Sequence, residues 1–99
     1  MTERSLQLSK PIDPQVIERL CLDADLTITM KGTLKSLPIN IHWHYKRGKE
    51  KGTLEITLML SKPEVIFSYK ENRAGDWIDG VIEGLIAEIL AQGEGLEGI

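Results

Sequence analysis

One cysteine, Cys21, excludes an internal disulfide framework and any zinc cluster built on several cysteines. No apolar run approaches the roughly 18–20 residues of a membrane span. The first residues, Met-Thr-Glu-Arg-Ser, lack the apolar stretch of a secretory signal. No repeat, low-complexity tract or linker divides the chain. Aromatic residues are only 5%, and Trp43, Tyr45 and Phe67 fall on the face expected to be buried, which leaves no ring on the open face for stacking on bases. What is present is ordinary: 41% hydrophobic and 27% charged, which excludes wholesale disorder. The expectation is one soluble cytoplasmic domain over residues 1–99, with an ordered core over about 11–92 and loose tails at 1–10 and 93–99.

The net charge of −3 conceals an uneven distribution. Residues 26–73 carry nine lysines and arginines against four acids, whereas the flanks carry three against eleven. A basic middle between acidic ends is either solvated charge or a surface offered to an anionic partner.

The chain reads as helix, four strands, helix. Asp13 is placed to cap a helix with Pro14 at its first position, and Val16, Ile17, Leu20 and Cys21 fall on one face. Four runs then alternate with period two: 26–30, 39–45, 54–60 and 65–69. Such alternation argues for an antiparallel sheet with one buried face, and Trp43 belongs to that face. Pairing apolar with apolar across the 47–52 hairpin sets Trp43 opposite Ile56, His44 opposite Glu55 and His42 opposite Thr57. The same rule across the next turn sets Leu60 opposite Val65, Leu58 opposite Phe67 and Ile56 opposite Tyr69. Pro38 suits the first position of a strand. Leu6 and Leu8 hint at a further edge strand, too briefly to carry it. The second helix is capped by Asp76 and buries Ile78, Val81, Ile82, Leu85 and Ile89, and Gly93 is its expected end. Gly93-Glu94-Gly95-Leu96-Glu97-Gly98 has the spacing of a dinucleotide fingerprint, but it follows a helix rather than opening one.

If both helices cover one face, the other is polar. His42 and His44 alternate on one strand and point the same way, so both imidazoles can reach one metal ion, with Glu55 as a third ligand. Thr57 lies beside them. Lys46, Arg47, Lys49 and Lys51 make a basic hairpin tip. Gly80 and Gly84 sit opposite the apolar stripe of the second helix, where close approach of another backbone would account for them. No catalytic constellation is legible: Cys21 faces the core, across the sheet from the imidazoles.

The fold class expected is therefore α+β, a two-layer sandwich with a four-stranded antiparallel sheet and two helices on one face. The leading functional expectation is a small non-catalytic interaction module without a cofactor, binding itself as a homodimer or another protein. Its binding residues are drawn from His42, His44, Glu55, Thr57, Lys46, Arg47, Lys49, Lys51, Gly80 and Gly84. The first alternative is a nucleic-acid-binding module using the basic surface. The second is a metal-binding protein or enzyme centred on His42 and His44.

Overall fold

A computed structural model of the chain describes residues 1–34, 39–73 and 75–97. The elements are β1 (Thr2–Gln7), α1 (Pro14–Asp23), β2 (Thr27–Gly32), β3 (Asn40–Lys46), β4 (Leu54–Met59), β5 (Glu64–Tyr69) and α2 (Trp77–Glu97), with a short 3-10 turn at Glu71–Arg73. The fold is α+β. Its five strands form one antiparallel sheet in the order β1-β5-β4-β3-β2. The expectation for Pro38 lies outside the described residues.

The expected four-stranded sandwich is thus corrected by a fifth strand. Thr2 pairs with Tyr69 and Leu6 with Val65, so the N-terminal segment is an edge strand and not a loose tail. Its alternation is hard to read because only Leu6 among Thr2, Arg4 and Leu6 brings an apolar side chain to the helix side. Polar contacts supply the rest. Arg4 pairs with Glu83 of α2, the Thr2 hydroxyl donates to Glu71 at 2.6 Å, and Leu8 N–H donates to the Pro63 carbonyl at 2.9 Å.

One core joins both helices to one side of the sheet. Ile17, Leu20 and Cys21 of α1 and Ile78, Ile82, Leu85 and Ile89 of α2 cluster with Trp43, Tyr45, Leu54, Ile56, Leu58, Val65, Phe67 and Tyr69. Asp13 caps α1 by accepting from Gln15 N–H at 2.9 Å. The helix ends in a Schellman turn. Leu26 N–H bonds to the Cys21 carbonyl at 2.9 Å and Asp25 N–H to Leu22 at 3.0 Å, with Asp25 in the left-handed region at φ 64°. Leu26 then drops its side chain into the core. α2 begins directly after Asp76 and runs through Gly93 to Glu97. Glycine inside a helix costs about 1 kcal/mol, which favours an end without compelling one. Gly75 precedes α2 because a Cβ there would collide with the Lys51 carbonyl oxygen and the Trp77 ring. Trp77 Nε1 donates to that same carbonyl at 2.7 Å.

The β3–β4 register is the expected one, with Trp43 opposite Ile56, His44 opposite Glu55 and His42 opposite Thr57. The β4–β5 register is shifted by two residues. Ile56 meets Phe67 and Leu58 meets Val65, whereas Tyr69 was expected opposite Ile56. The sheet face of each side chain survives, because a shift of two preserves parity. The cause is the turn. The last β4–β5 pair is Met59 with Glu64, so the turn takes residues 60–63 and includes Leu60, whose N–H instead continues the β3–β4 register by donating to the Ile39 carbonyl at 3.1 Å.

β2 carries the other departure. Ile28 pairs with Tyr45, but the register slips before Met30 meets His44. This bulge turns Met30 onto the face of the histidines, against the simple alternation of 26–30. It also brings Lys31 opposite Trp43, on the helix side, where its ammonium pairs with Glu18 at 2.7 Å.

Candidate metal centre

The face of the sheet away from the helices carries Asn40, His42, His44 and Lys46 from β3 and Glu55, Thr57 and Met59 from β4. It is not uniformly open. His42 is 5% exposed, and Thr57, Asn40, Met59 and Ser68 are buried as well. Leu34, just after β2, packs against Asn40. Asn40 clamps Leu34 from both ends, accepting from its N–H at 2.8 Å and donating to its carbonyl at 3.1 Å.

At the centre of this face three potential ligand atoms converge. His42 Nε2 and His44 Nε2 lie 3.1 Å apart, His42 Nε2 is 3.3 Å from Glu55 Oε1, and His44 Nε2 is 3.5 Å from the same oxygen. Side chains at i and i+2 of β3 bring the imidazoles together, and the cross-strand pair with His44 brings the carboxylate. The rings meet edge to face with centroids 5.0 Å apart, so the Nε2 atoms rather than the ring faces approach each other. His42 Nδ1 lies 2.7 Å from Thr57 Oγ1. In the tautomer that donates Nδ1–H to this hydroxyl, His42 Nε2 carries a lone pair directed at the carboxylate oxygen.

Burial pushes the His42 pKa below the ordinary imidazole value, the neighbouring His44 pushes it the same way, and Glu55 opposes both. His42 is therefore held toward its neutral, ligating form. A neutral Nε2 and a carboxylate oxygen in contact are two acceptors that need a shared proton or cation between them.

The triangle of donors fits a tetrahedral ion. Zinc sits about 2.0–2.1 Å from nitrogen and about 2.0–2.2 Å from carboxylate oxygen, so its ligands are roughly 3.3–3.4 Å apart. Observed edges of 3.1, 3.3 and 3.5 Å bracket that separation without rearrangement. Three ligands leave a fourth position open.

The other residues singled out from the sequence are dispersed. Lys46 and Lys51 border a recess of about 450 Å³ beside His44 and Glu55. Arg47 instead pairs with Glu50 at 3.4 Å and borders a groove on the helix side, so the basic tip is divided between two surfaces. Lys49 is exposed and lines neither cavity. Gly80 and Gly84 border the helix-side groove, and a Cβ at either would meet nothing within 4 Å. Close backbone packing on these glycines is therefore absent among the described residues. Cys21 is wholly buried and its thiol is pushed up to about 12 by desolvation, which makes it a core residue and not a nucleophile. Three further residues line the recess, Gly52, Thr53 and Lys70. Strand parity assigns Thr53 and Lys70 to the polar face, but nothing in the pattern singles the three out.

No protein-family model, curated protein or solved structure matches the chain. No helix among the described residues is long and apolar enough to cross a membrane. Chemistry at the site therefore carries the functional reading.

Proposed function

We propose that the protein binds a divalent transition metal, of the zinc class, through His42 Nε2, His44 Nε2 and Glu55. The observation that carries this reading is the convergence of those atoms within 4.8 Å of one another, two of the three residues being partly exposed and one buried. Two imidazoles and one carboxylate with an open fourth position form the ligand set of metal sites that exchange a bound water. Thr57 supports the site from outside by fixing the His42 ring and tautomer. The cytoplasm remains the proposed setting.

Titration with Co²⁺ followed by displacement with Zn²⁺ tests this. Tetrahedral binding gives intense visible cobalt bands that zinc abolishes, and a free-metal concentration 100 times Kd stabilises the fold by about 2.7 kcal/mol. His42→Ala or His44→Ala should remove the bands, and Thr57→Val should weaken binding by about 10–100-fold while leaving the ligands in place. Bands that survive both histidine substitutions, or no uptake by the folded protein, would sink the reading.

A second reading keeps the expected homodimer. β2 is an edge strand on which Ile28 and Met30 are 43% and 42% exposed, and an open apolar edge is a template for pairing with a second copy. Solution mass across a concentration series decides it.

A further inference from the structure

The recess beside the triad has an unusual charge balance. Lys46 enters it from the end of β3, Lys51 and Thr53 from the approach to β4, and Lys70 from the end of β5. None of the three lysines makes an ion pair with any described residue. Among the described residues the only acidic side chain in the lining is Glu55, which belongs to the donor triangle. Three ammonium groups around one concavity repel one another, and an anion placed among them relieves that repulsion.

Shape adds to charge. About 450 Å³ falls within the range of small-molecule sites and exceeds what one bare oxyanion fills. His44 and Glu55 form part of the wall, so the recess adjoins two of the three donors of the triad.

Resting on the metal reading, we infer that the recess binds a small phosphate monoester, with one phosphate oxygen on the metal and the others facing Lys46, Lys51 and Lys70. A dianion matches three cations better than a carboxylate does, and the remaining volume holds the esterified group. The metal is required because an unmetallated Glu55 presents its negative charge to the same space. Phosphate binding is thereby coupled to metal loading, and each strengthens the other.

The test uses zinc-loaded protein freed of excess metal, metal-free protein, and a Lys46→Gln/Lys51→Gln/Lys70→Gln variant. The three lysines are exposed, so the variant should keep its fold. Calorimetric titrations at low ionic strength compare phenyl phosphate, inorganic phosphate, benzoate and a single-stranded RNA oligonucleotide. The inference expects phenyl phosphate to bind the loaded protein more tightly than benzoate does and to bind the metal-free protein far less. In the lysine variant, which still takes up zinc, affinity should fall by roughly tenfold or more. Zinc uptake without phenyl phosphate binding overturns this inference and leaves the metal site standing. Equal affinity for benzoate, an unchanged affinity in the lysine variant, or equal binding with and without metal overturns it too. RNA binding many-fold tighter than the monoester replaces it with a nucleic-acid surface. Failure to take up zinc overturns the metal reading and this inference together.

Discussion

Glu18 fastens α1 to the sheet, and its removal has a computable cost. Its carboxylate accepts from Trp43 Nε1 at 2.9 Å and pairs with Lys31 at 2.7 Å. Trp43 is 0% exposed, so Glu18→Ala strands an indole N–H in the core at about 1–3 kcal/mol. The Lys31 pair is part-exposed, with side chains 51% and 31% accessible, and adds no more than about 1 kcal/mol. A total near 2 kcal/mol lowers the melting temperature by about 8–16 °C for a domain of this size. Glu18→Gln keeps an acceptor for the indole and should lose less than about 1 kcal/mol.

Acid separates the two contributions. The hydrogen bond from Lys31 holds the Glu18 carboxyl below its ordinary value, the one from Trp43 adds to it, and burial opposes them. A depressed folded pKa gives stability that is full above the unfolded pKa and lost as pH falls through the folded one. The wild type should therefore lose its advantage over Glu18→Gln as pH falls through and below the ordinary carboxylate range. Urea unfolding monitored by tryptophan fluorescence and by circular dichroism measures both effects. An alanine variant as stable as the wild type, or a glutamine variant as damaged as alanine, would refute the reasoning. So would an advantage over Glu18→Gln that ignores acid.

Two further substitutions probe the backbone and the core. Asp25 occupies the left-handed region at φ 64° in the Schellman turn, so Asp25→Gly should stabilise by about 0.5–1 kcal/mol, read as a higher urea midpoint. A lower midpoint would mean that the turn is not strained. The Tyr45 hydroxyl is buried beside the Cys21 thiol, its only polar neighbour of note among the described residues and one that falls short of a well-formed hydrogen bond, so Tyr45→Phe should change stability by no more than about 1 kcal/mol. A larger loss, measured the same way, would show that the thiol is a true hydrogen-bond partner.

Most of the core was legible because one physical signal repeats. Period-two alternation in β3, β4 and β5 and helical spacing in α1 and α2 put Trp43, Ile56, Phe67, Ile17 and Ile82 on buried faces, where they lie. What was not legible depends on polar contacts or on turns. β1 is held by Arg4, Thr2 and the Leu8 amide, whose partners are remote in sequence. The β2 bulge that exposes Met30 leaves no mark in composition. α2 outlasts Gly93 and Gly95 because a glycine costs only about 1 kcal/mol in a helix, which disfavours continuation without forbidding it.

The candidate site divides along the same line. Parity places His42, His44, Glu55 and Thr57 on one face, since a strand's alternate residues share it, and the register across the 47–52 hairpin tip then sets His44 opposite Glu55 and His42 opposite Thr57. What Glu55 does there depends on the next turn, which the sequence leaves open by two residues. In the register expected from the hydrophobic pattern, Lys70 would stand opposite Glu55 and compete for its carboxylate. In the observed register Ser68 stands opposite Glu55, and Lys70 is carried past the end of the strand to the rim of the recess. The turn over residues 60–63 therefore does two things at once. It leaves the Glu55 carboxylate to the two imidazoles, and it adds to the wall beside them a third lysine with no ion pair among the described residues. Neither effect is encoded at His42, His44 or Glu55 themselves, which is why the motif His-x-His looks weak in the sequence and becomes a three-point donor set only in the folded sheet.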